Sequence, residues 1–152
     1  MTEKAQFRIG HLPITDHLIL GITAEKLASG KEAFQYGQVE AKPYRSWNRL
    51  ADDLRQGNLE AACILAPLAM EFYYAGVPIR MLLQTHKSGS TLVKNKRANI
   101  QNLDDFKGRS ILIPHYLSVH HLLFDKLMRD NGLEVGAGKD IIFDVVAPSD
   151  IP

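Results

Sequence analysis

The strongest constraint on the fold is a pair of strand-to-helix units, in residues 7–27 and 109–132. Each unit begins with a short apolar stretch, continues with a polar cluster that contains histidines, and ends in a run with apolar residues at helical spacing. Such corners are where α/β proteins hold small ligands. Helix starts leave backbone N–H groups unpaired and carry the positive end of the helix dipole. The sequence therefore predicts two corners suited to a small polar or anionic molecule.

Strand and helix patterns alternate along the whole chain with short connections, which is typical of an α/β protein with a mostly parallel sheet flanked by helices. The predicted strands are Phe7–Gly10, Gln38–Tyr44, Leu59–Leu65, Ile79–Gln84, Ser110–Ile113 and Ile141–Val146. The predicted helices are Asp16–Ser29, a helix capped by Ser46 that ends near Gly57, Leu68–Tyr74 and Val119–Asn131. The third strand is apolar throughout, which predicts burial on both faces.

A shift in composition divides the chain. Residues 86–97 are rich in Gly, Ser, Lys and Asn and predict an extended crossover rather than core. We therefore expect a first α/β lobe over residues 1–88, and a crossover with the start of a second α/β lobe over residues 89–152.

Composition excludes several classes of protein. The 152 residues are 45% hydrophobic, enough for a core, and the 18 basic residues are scattered among 17 acidic ones. No concentrated basic face is present, which argues against a nucleic-acid partner. Cys63 is the one cysteine and excludes an intrachain disulfide or a cysteine metal cluster. No apolar stretch approaches the ~18 residues of a membrane span.

Catalytic signatures are missing from the sequence as well. It has no Gly-x-Ser-x-Gly elbow, no phosphate-binding glycine loop, and no histidine pair at helical spacing with the carboxylate that zinc hydrolases use. We therefore expect no catalytic residues, no metal and no cofactor. The first residues lack the hydrophobic core of a signal peptide, so the protein is either cytoplasmic or exported with its signal removed.

Several motifs resemble a known family. They are the opening Phe7–His17, Ser46–Trp47, Gln56–Ala62, Ile64–Pro67, Asn102–Ile111 and Ser118–His120. Together they resemble the solute-binding proteins of ABC importers in the nitrate/sulfonate/taurine group, most closely the nitrate- and bicarbonate-binding branch. The resemblance implies a type II periplasmic-binding architecture, in which two α/β lobes close on a small anion. It also implies a non-enzymatic role, a membrane permease as partner and an extracytoplasmic location.

Family chains usually continue further, so the resemblance implies that both lobes are incomplete here. If the chain is complete, its open sheet edges favour a homo-oligomer.

The resemblance also implies a set of residues lining the interlobe cleft: Pro13, Thr15, Asp16, Trp47, Ala66, Pro67, Ser90, Ser118 and His120. Several of them have a simpler interpretation. Thr15 and Asp16 are typical helix caps, Trp47 is typical of packing, and only one of the adjacent His120 and His121 can face a cleft. A carboxylate at Asp16 repels an anion, so either it turns away or the solute carries a cationic or hydroxylated group.

Two other functions stay open at this point. One is an enzyme of thiamine-pyrimidine or menaquinone biosynthesis on the same fold; the pyrimidine synthases carry a cysteine-rich stretch that Cys63 alone cannot supply. The other is a cytoplasmic effector-binding module of a regulator, which the missing signal peptide favours.

Overall fold

The chain folds into two compact units. The computed structural model describes residues 5–86 and 89–151. Of these, residues 5–64 and 69–86 group into the first unit, and residues 65–68 and 89–151 into the second. The predicted boundary at residue 88 lies outside the described residues and stays a prediction. No helix in the described part is both long and apolar enough to cross a membrane.

The first unit is built on a three-stranded parallel sheet. Its elements are β1 (Ala5–His11), α1 (Leu18–Ala28), β2 (Gly37–Pro43), α2 (Trp47–Arg55) and β3 (Ala61–Ala62), followed in the chain by α3 (Ala66–Tyr74). The strand order is β2-β1-β3. β1 pairs with β2 from Ala5 opposite Gly37 to His11 opposite Pro43. The central strand thus ends at the polar cluster that the sequence predicts as a corner.

Helix α2 forms where the sequence predicts it. The Ser46 side chain accepts a hydrogen bond from the Arg49 backbone N–H at 3.3 Å, as an N-cap does. The helix ends at Arg55, and Gly57 follows with φ of 76°, a conformation that glycine adopts without a steric penalty. The predicted cap and stop are both confirmed.

Two predicted strands differ from the structure. Only Ala61–Ala62 of the Leu59–Leu65 run form a strand, and both residues are half-buried, because β3 pairs with β1 alone. The predicted strand Ile79–Gln84 is wrong, since these residues form no regular structure. Met81 and Leu82 are each 81% exposed. A strand needs a partner for its backbone groups, and no described strand pairs with this run.

The second unit holds a two-stranded parallel sheet and one long helix. Its elements are β4 (Arg109–Ile113), α4 (Val119–Asp130) and β5 (Ile141–Val145). Its core comprises Phe106, Ile113, Phe124, Met128, Leu133, Ile141 and Phe143. The three phenylalanines form edge-to-face pairs, with centroids 5.5 Å apart for Phe106 and Phe124 and 5.7 Å apart for Phe124 and Phe143.

Gly10, in β1, lies in close contact with buried side chains of the first unit. A Cβ atom at Gly10 would lie 2.6 Å from Leu59 Cδ1 and 3.2 Å from Tyr44 Cε2. We expect Gly10→Ala to lower the free energy of unfolding by about 1–3 kcal/mol, because the buried neighbours must shift. A urea titration followed by circular dichroism measures this.

Gly21 provides the matched control. It lies inside α1, and a Cβ atom added there would meet no neighbour within 4 Å, so Gly21→Ala should raise stability by up to about 1 kcal/mol. A Gly10→Ala variant as stable as the wild type would contradict the tight packing of β1.

Candidate functional site

The first predicted corner lies at the carboxyl edge of the three-stranded sheet. The three strands are parallel, so the segments that follow them start at the same edge. Pro13, Thr15 and Asp16 follow β1 and are exposed, and Trp47 begins the helix that follows β2. The fold therefore brings these four predicted residues to one edge of the first unit.

Trp47 is packed rather than open. The tryptophan is only 4% exposed, and its ring contacts the His17 ring edge-to-face with the ring centroids 5.6 Å apart. The indole Nε1 is buried and has no hydrogen-bond partner in the described structure. A buried polar atom without a partner costs about 1–3 kcal/mol, so such atoms are normally satisfied by water or a ligand.

His17 is a residue of this corner that the sequence did not single out. It is 7% exposed, and its Nδ1 lies 3.1 Å from the Leu12 backbone nitrogen and 3.0 Å from the Leu12 carbonyl oxygen. Burial lowers the pKa of the His17 imidazole. Its contact with Trp47 joins residues 30 positions apart, so no local pattern could reveal it.

Thr15 and Asp16 do not cap α1. The N-cap position of α1 is His17, and no side chain makes a capping hydrogen bond there. The Asp16 carboxylate instead lies 3.7 Å from His86 Nε2, within ion-pair distance when that histidine is protonated. A cationic neighbour offsets part of the repulsion that this carboxylate would exert on an anion.

A surface groove of about 500 Å³ lies along the β2–α2 corner. Asp53 in this groove accepts hydrogen bonds from the Tyr44 hydroxyl and from Lys42, which lower its pKa to about 2. Arg45 and Arg49 also line the groove and are exposed. The acidic and basic side chains in this groove therefore partly offset one another's charge. The residues that line the groove do not include Trp47.

The second predicted corner follows β4. Ser118 is completely buried, and its hydroxyl oxygen accepts a hydrogen bond from the His121 backbone N–H at 3.1 Å, which caps α4. His120 is half-buried, and its Nδ1 is buried without a hydrogen-bond partner in the described structure. His115 Nδ1 accepts from the Leu117 backbone N–H at 2.9 Å, and burial lowers the pKa of its imidazole.

His121 faces the core of the second unit. Its ring meets Phe143 edge-to-face with centroids 4.5 Å apart, and its Nδ1 lies 2.5 Å from the Tyr116 carbonyl oxygen. Of the adjacent pair, His120 is thus the member with a buried ring nitrogen that has no hydrogen-bond partner among the described residues.

The other predicted residues are two in the segment that follows β3 and one in the irregular segment after α3. Ala66 is exposed and Pro67 is half-buried at the start of α3, in the stretch 65–68 that groups with the second unit. Ser90 is exposed in an irregular segment.

One property distinguishes two of the nine predicted residues. Within residues 5–86 and 89–151, the buried side-chain nitrogen and oxygen atoms without a hydrogen-bond partner are Trp47 Nε1 and His120 Nδ1. Each lies in the corner that follows a parallel strand, one in each unit. The same residues include no group of three or more His, Cys, Asp or Glu side chains placed to hold a metal ion.

The sequence profile of the NMT1-like family matches residues 1–152. The chain belongs to the NMT1-like family. Among solved structures, this NMT1-like chain is similar to the ligand-binding component of an ABC-type import system from Staphylococcus aureus, determined with zinc bound. The two are 25% identical with a TM-score of 0.78, and the match covers 98% of this chain and 50% of that one.

Two sulfonate-binding proteins share the fold. The alkanesulfonate-binding protein SsuA from Xanthomonas axonopodis pv. citri, bound to MOPS, is 17% identical with a TM-score of 0.64, over 99% of this chain and 50% of that one. The periplasmic aliphatic sulphonate binding protein SsuA from Escherichia coli is 15% identical with a TM-score of 0.59, over 97% and 49%. No curated protein matches the chain.

These similarities confirm the predicted group and the fold class. The neighbours are ABC-type solute-binding proteins, and the described sheets are parallel and flanked by helices. The NMT1-like chain spans about half the length of the solved structures that it matches.

Proposed function

We propose that this NMT1-like chain is part of the solute-binding component of an ABC importer and binds a small anion, of the nitrate, bicarbonate, taurine or sulfonate type, in an interlobe cleft. The observation that carries the proposal is the pair of unpartnered buried atoms, Trp47 Nε1 and His120 Nδ1. Both belong to the set that the family resemblance implies. The neighbouring structures are binding proteins, which supports a non-enzymatic role.

The chemistry of the first corner favours an acceptor group on the solute. An indole N–H can only donate a hydrogen bond, so its partner must be an acceptor such as an oxyanion. Trp47 is also the first residue of α2, where unpaired backbone N–H groups and the helix dipole favour negative charge. Arg45 and Arg49 add positive charge to the same corner, and neither makes an ion pair among the described residues.

His120 supplies the second contact. Its Nδ1 donates when it carries the proton and accepts when it does not, so it can serve either an oxyanion or a hydroxyl group. A solute with a hydroxyl or amine beside its anionic group would also suit the exposed Asp16 carboxylate. Taurine has such an amine, and bicarbonate such a hydroxyl.

The test is a thermal-shift and calorimetric screen of the whole chain against nitrate, bicarbonate, taurine and ethanesulfonate. A solute at 100 times its dissociation constant should add about 2.7 kcal/mol of stability. No stabilisation by any of these anions in a folded sample would overturn the proposed solute class.

We expect Trp47→Phe and His120→Phe each to weaken binding of the stabilising anion at least tenfold, equivalent to about 1.4 kcal/mol, because each removes one hydrogen bond to a charged group. Calorimetric titration measures this. Tyr74→Phe is the control, because Tyr74 is 86% exposed on α3 and outside the predicted set. Unchanged affinity in both test variants would contradict the assigned contacts.

The partners follow from the same proposal. A solute-binding component delivers its solute to a membrane permease and works outside the cytoplasm. β2 and β3 are the outer strands of the first sheet. A homo-oligomer formed through these edges stays a prediction, and analytical ultracentrifugation would detect it.

A further inference from the structure

Three side chains of the second unit hold the backbone of the corner between β4 and α4. His115 Nδ1 accepts a hydrogen bond from the Leu117 N–H at 2.9 Å. The Ser118 hydroxyl oxygen accepts from the His121 N–H at 3.1 Å, and His121 Nδ1 lies 2.5 Å from the Tyr116 carbonyl oxygen. Each of these bonds joins a side chain to the backbone of the same short segment, so together they fix its conformation.

His121 also attaches this segment to the core of the unit. Its ring contacts Phe143 of β5 edge-to-face with the centroids 4.5 Å apart, and contacts Tyr116 in the same way at 5.7 Å. Phe143 is itself buried and packs against Phe124 of α4. The corner is therefore bound both to its own helix and to the adjacent strand.

Ser118 has no surface through which a solute could reach it. Its exposure in the second unit is 0%, and its oxygen is the N-cap acceptor of α4. His120, two residues later, differs in both respects. It is half-buried, and its Nδ1 is buried without a hydrogen-bond partner among the described residues. The start of α4 thus carries one side chain that is used internally and one ring nitrogen that still lacks a hydrogen bond.

We propose that His115, Ser118 and His121 form a frame of positioning residues, which fixes the first turn of α4 and so holds His120 in place for the solute. Ser118 itself does not contact the solute. The solute part rests on the proposed function. The frame does not, because its bonds exist without a solute.

The two histidines of the frame require opposite tautomers. A carbonyl oxygen can only accept, so His121 must carry a proton on Nδ1 to bind Tyr116. The Leu117 N–H can only donate, so the neutral His115 ring must carry its proton on Nε2. Burial lowers the pKa of the His115 imidazole, which favours this neutral form.

Nitrogen-15 NMR of the whole chain at about pH 8, where both rings are neutral, reads the two tautomers directly. Protonated and unprotonated ring nitrogens differ widely in chemical shift. We expect a protonated Nδ1 in His121 and a protonated Nε2 in His115. The opposite tautomer in either histidine would overturn the frame. This measurement uses the unaltered protein, so it stays decisive if a variant does not fold.

Two variants of Ser118 test whether the frame positions His120. Ser118→Ala removes the cap acceptor, whereas Ser118→Thr keeps it. Without any solute, we expect one sharp set of His120 ring signals in the wild type and in Ser118→Thr, and broadened or multiple signals in Ser118→Ala. Tyr116→Phe is the matched control, because it keeps both the carbonyl and the aromatic ring that His121 contacts. A single sharp set in Ser118→Ala would contradict the positioning role.

The solute arm uses whichever of nitrate, bicarbonate, taurine and ethanesulfonate binds the wild type most tightly. Ser118→Ala and His121→Phe should weaken its binding by about three- to tenfold, because the corner must then be ordered on binding. Ser118→Thr and Tyr116→Phe should stay within about twofold of the wild type.

The outcomes separate the frame from the proposed function. Equal affinity in Ser118→Ala and the wild type would overturn the positioning role and leave the proposed function standing. Weaker binding with unchanged His120 signals would mean that Ser118 contacts the solute directly, which also contradicts the proposal. If none of the four anions binds, the proposed function fails, and the tautomers and the His120 signals alone decide the frame.

Discussion

Replacing Trp47 by alanine is expected to lower the free energy of unfolding by about 3–5 kcal/mol. The side chain is 4% exposed and lies edge-on against the buried His17, so truncation leaves a cavity where a large ring was packed. A urea titration followed by far-UV circular dichroism measures the loss.

Two variants make the Trp47 result interpretable. Trp47→Phe keeps most of the ring volume and should lose much less stability than Trp47→Ala. Tyr74→Ala removes an aromatic side chain that is 86% exposed and should change stability by no more than about 0.5 kcal/mol. A Trp47→Ala variant within about 1 kcal/mol of the wild type would contradict the packed position of the indole.

Phe124→Ala should have a comparable effect in the second unit, lowering the free energy of unfolding by about 3–5 kcal/mol. Phe124 is 7% exposed and is the shared member of two edge-to-face pairs, with Phe106 and with Phe143. Each such pair contributes about 0.5–1.5 kcal/mol beyond the area that it buries. Thermal and urea unfolding, followed by far-UV circular dichroism, both measure this effect.

Leu123 is the matched control for Phe124. It is the preceding residue of the same helix and is 53% exposed, so Leu123→Ala should cost less than about 1 kcal/mol. Equal losses in the two variants would mean that α4 presents a different face to the core than the structure describes.

Elements with local signals were predictable. Ser46 and Gly57 mark the two ends of α2 in the sequence. An N-cap and a glycine in the left-handed conformation each act on the helix that they flank, so their effect is local. The strand Ile79–Gln84 was mispredicted for the opposite reason. Its apolar composition suits a strand, but a strand forms only when another offers its backbone groups, and composition does not reveal that partner.

The candidate site shows the same division. Trp47 and His120 were predicted from the family resemblance, yet their distinguishing feature, a buried nitrogen without a partner, depends on everything packed around them. His17 was missed because its importance comes from a ring contact with a residue on another element.

The sequence by itself determined the α/β class, the limits of α2 and the two corners where strands give way to helices, because periodicity, caps and turn residues act over a few positions. The tertiary structure alone decided which strands pair and that Trp47 packs against His17. These features depend on contacts between residues far apart in the chain, whose free energies no local pattern encodes.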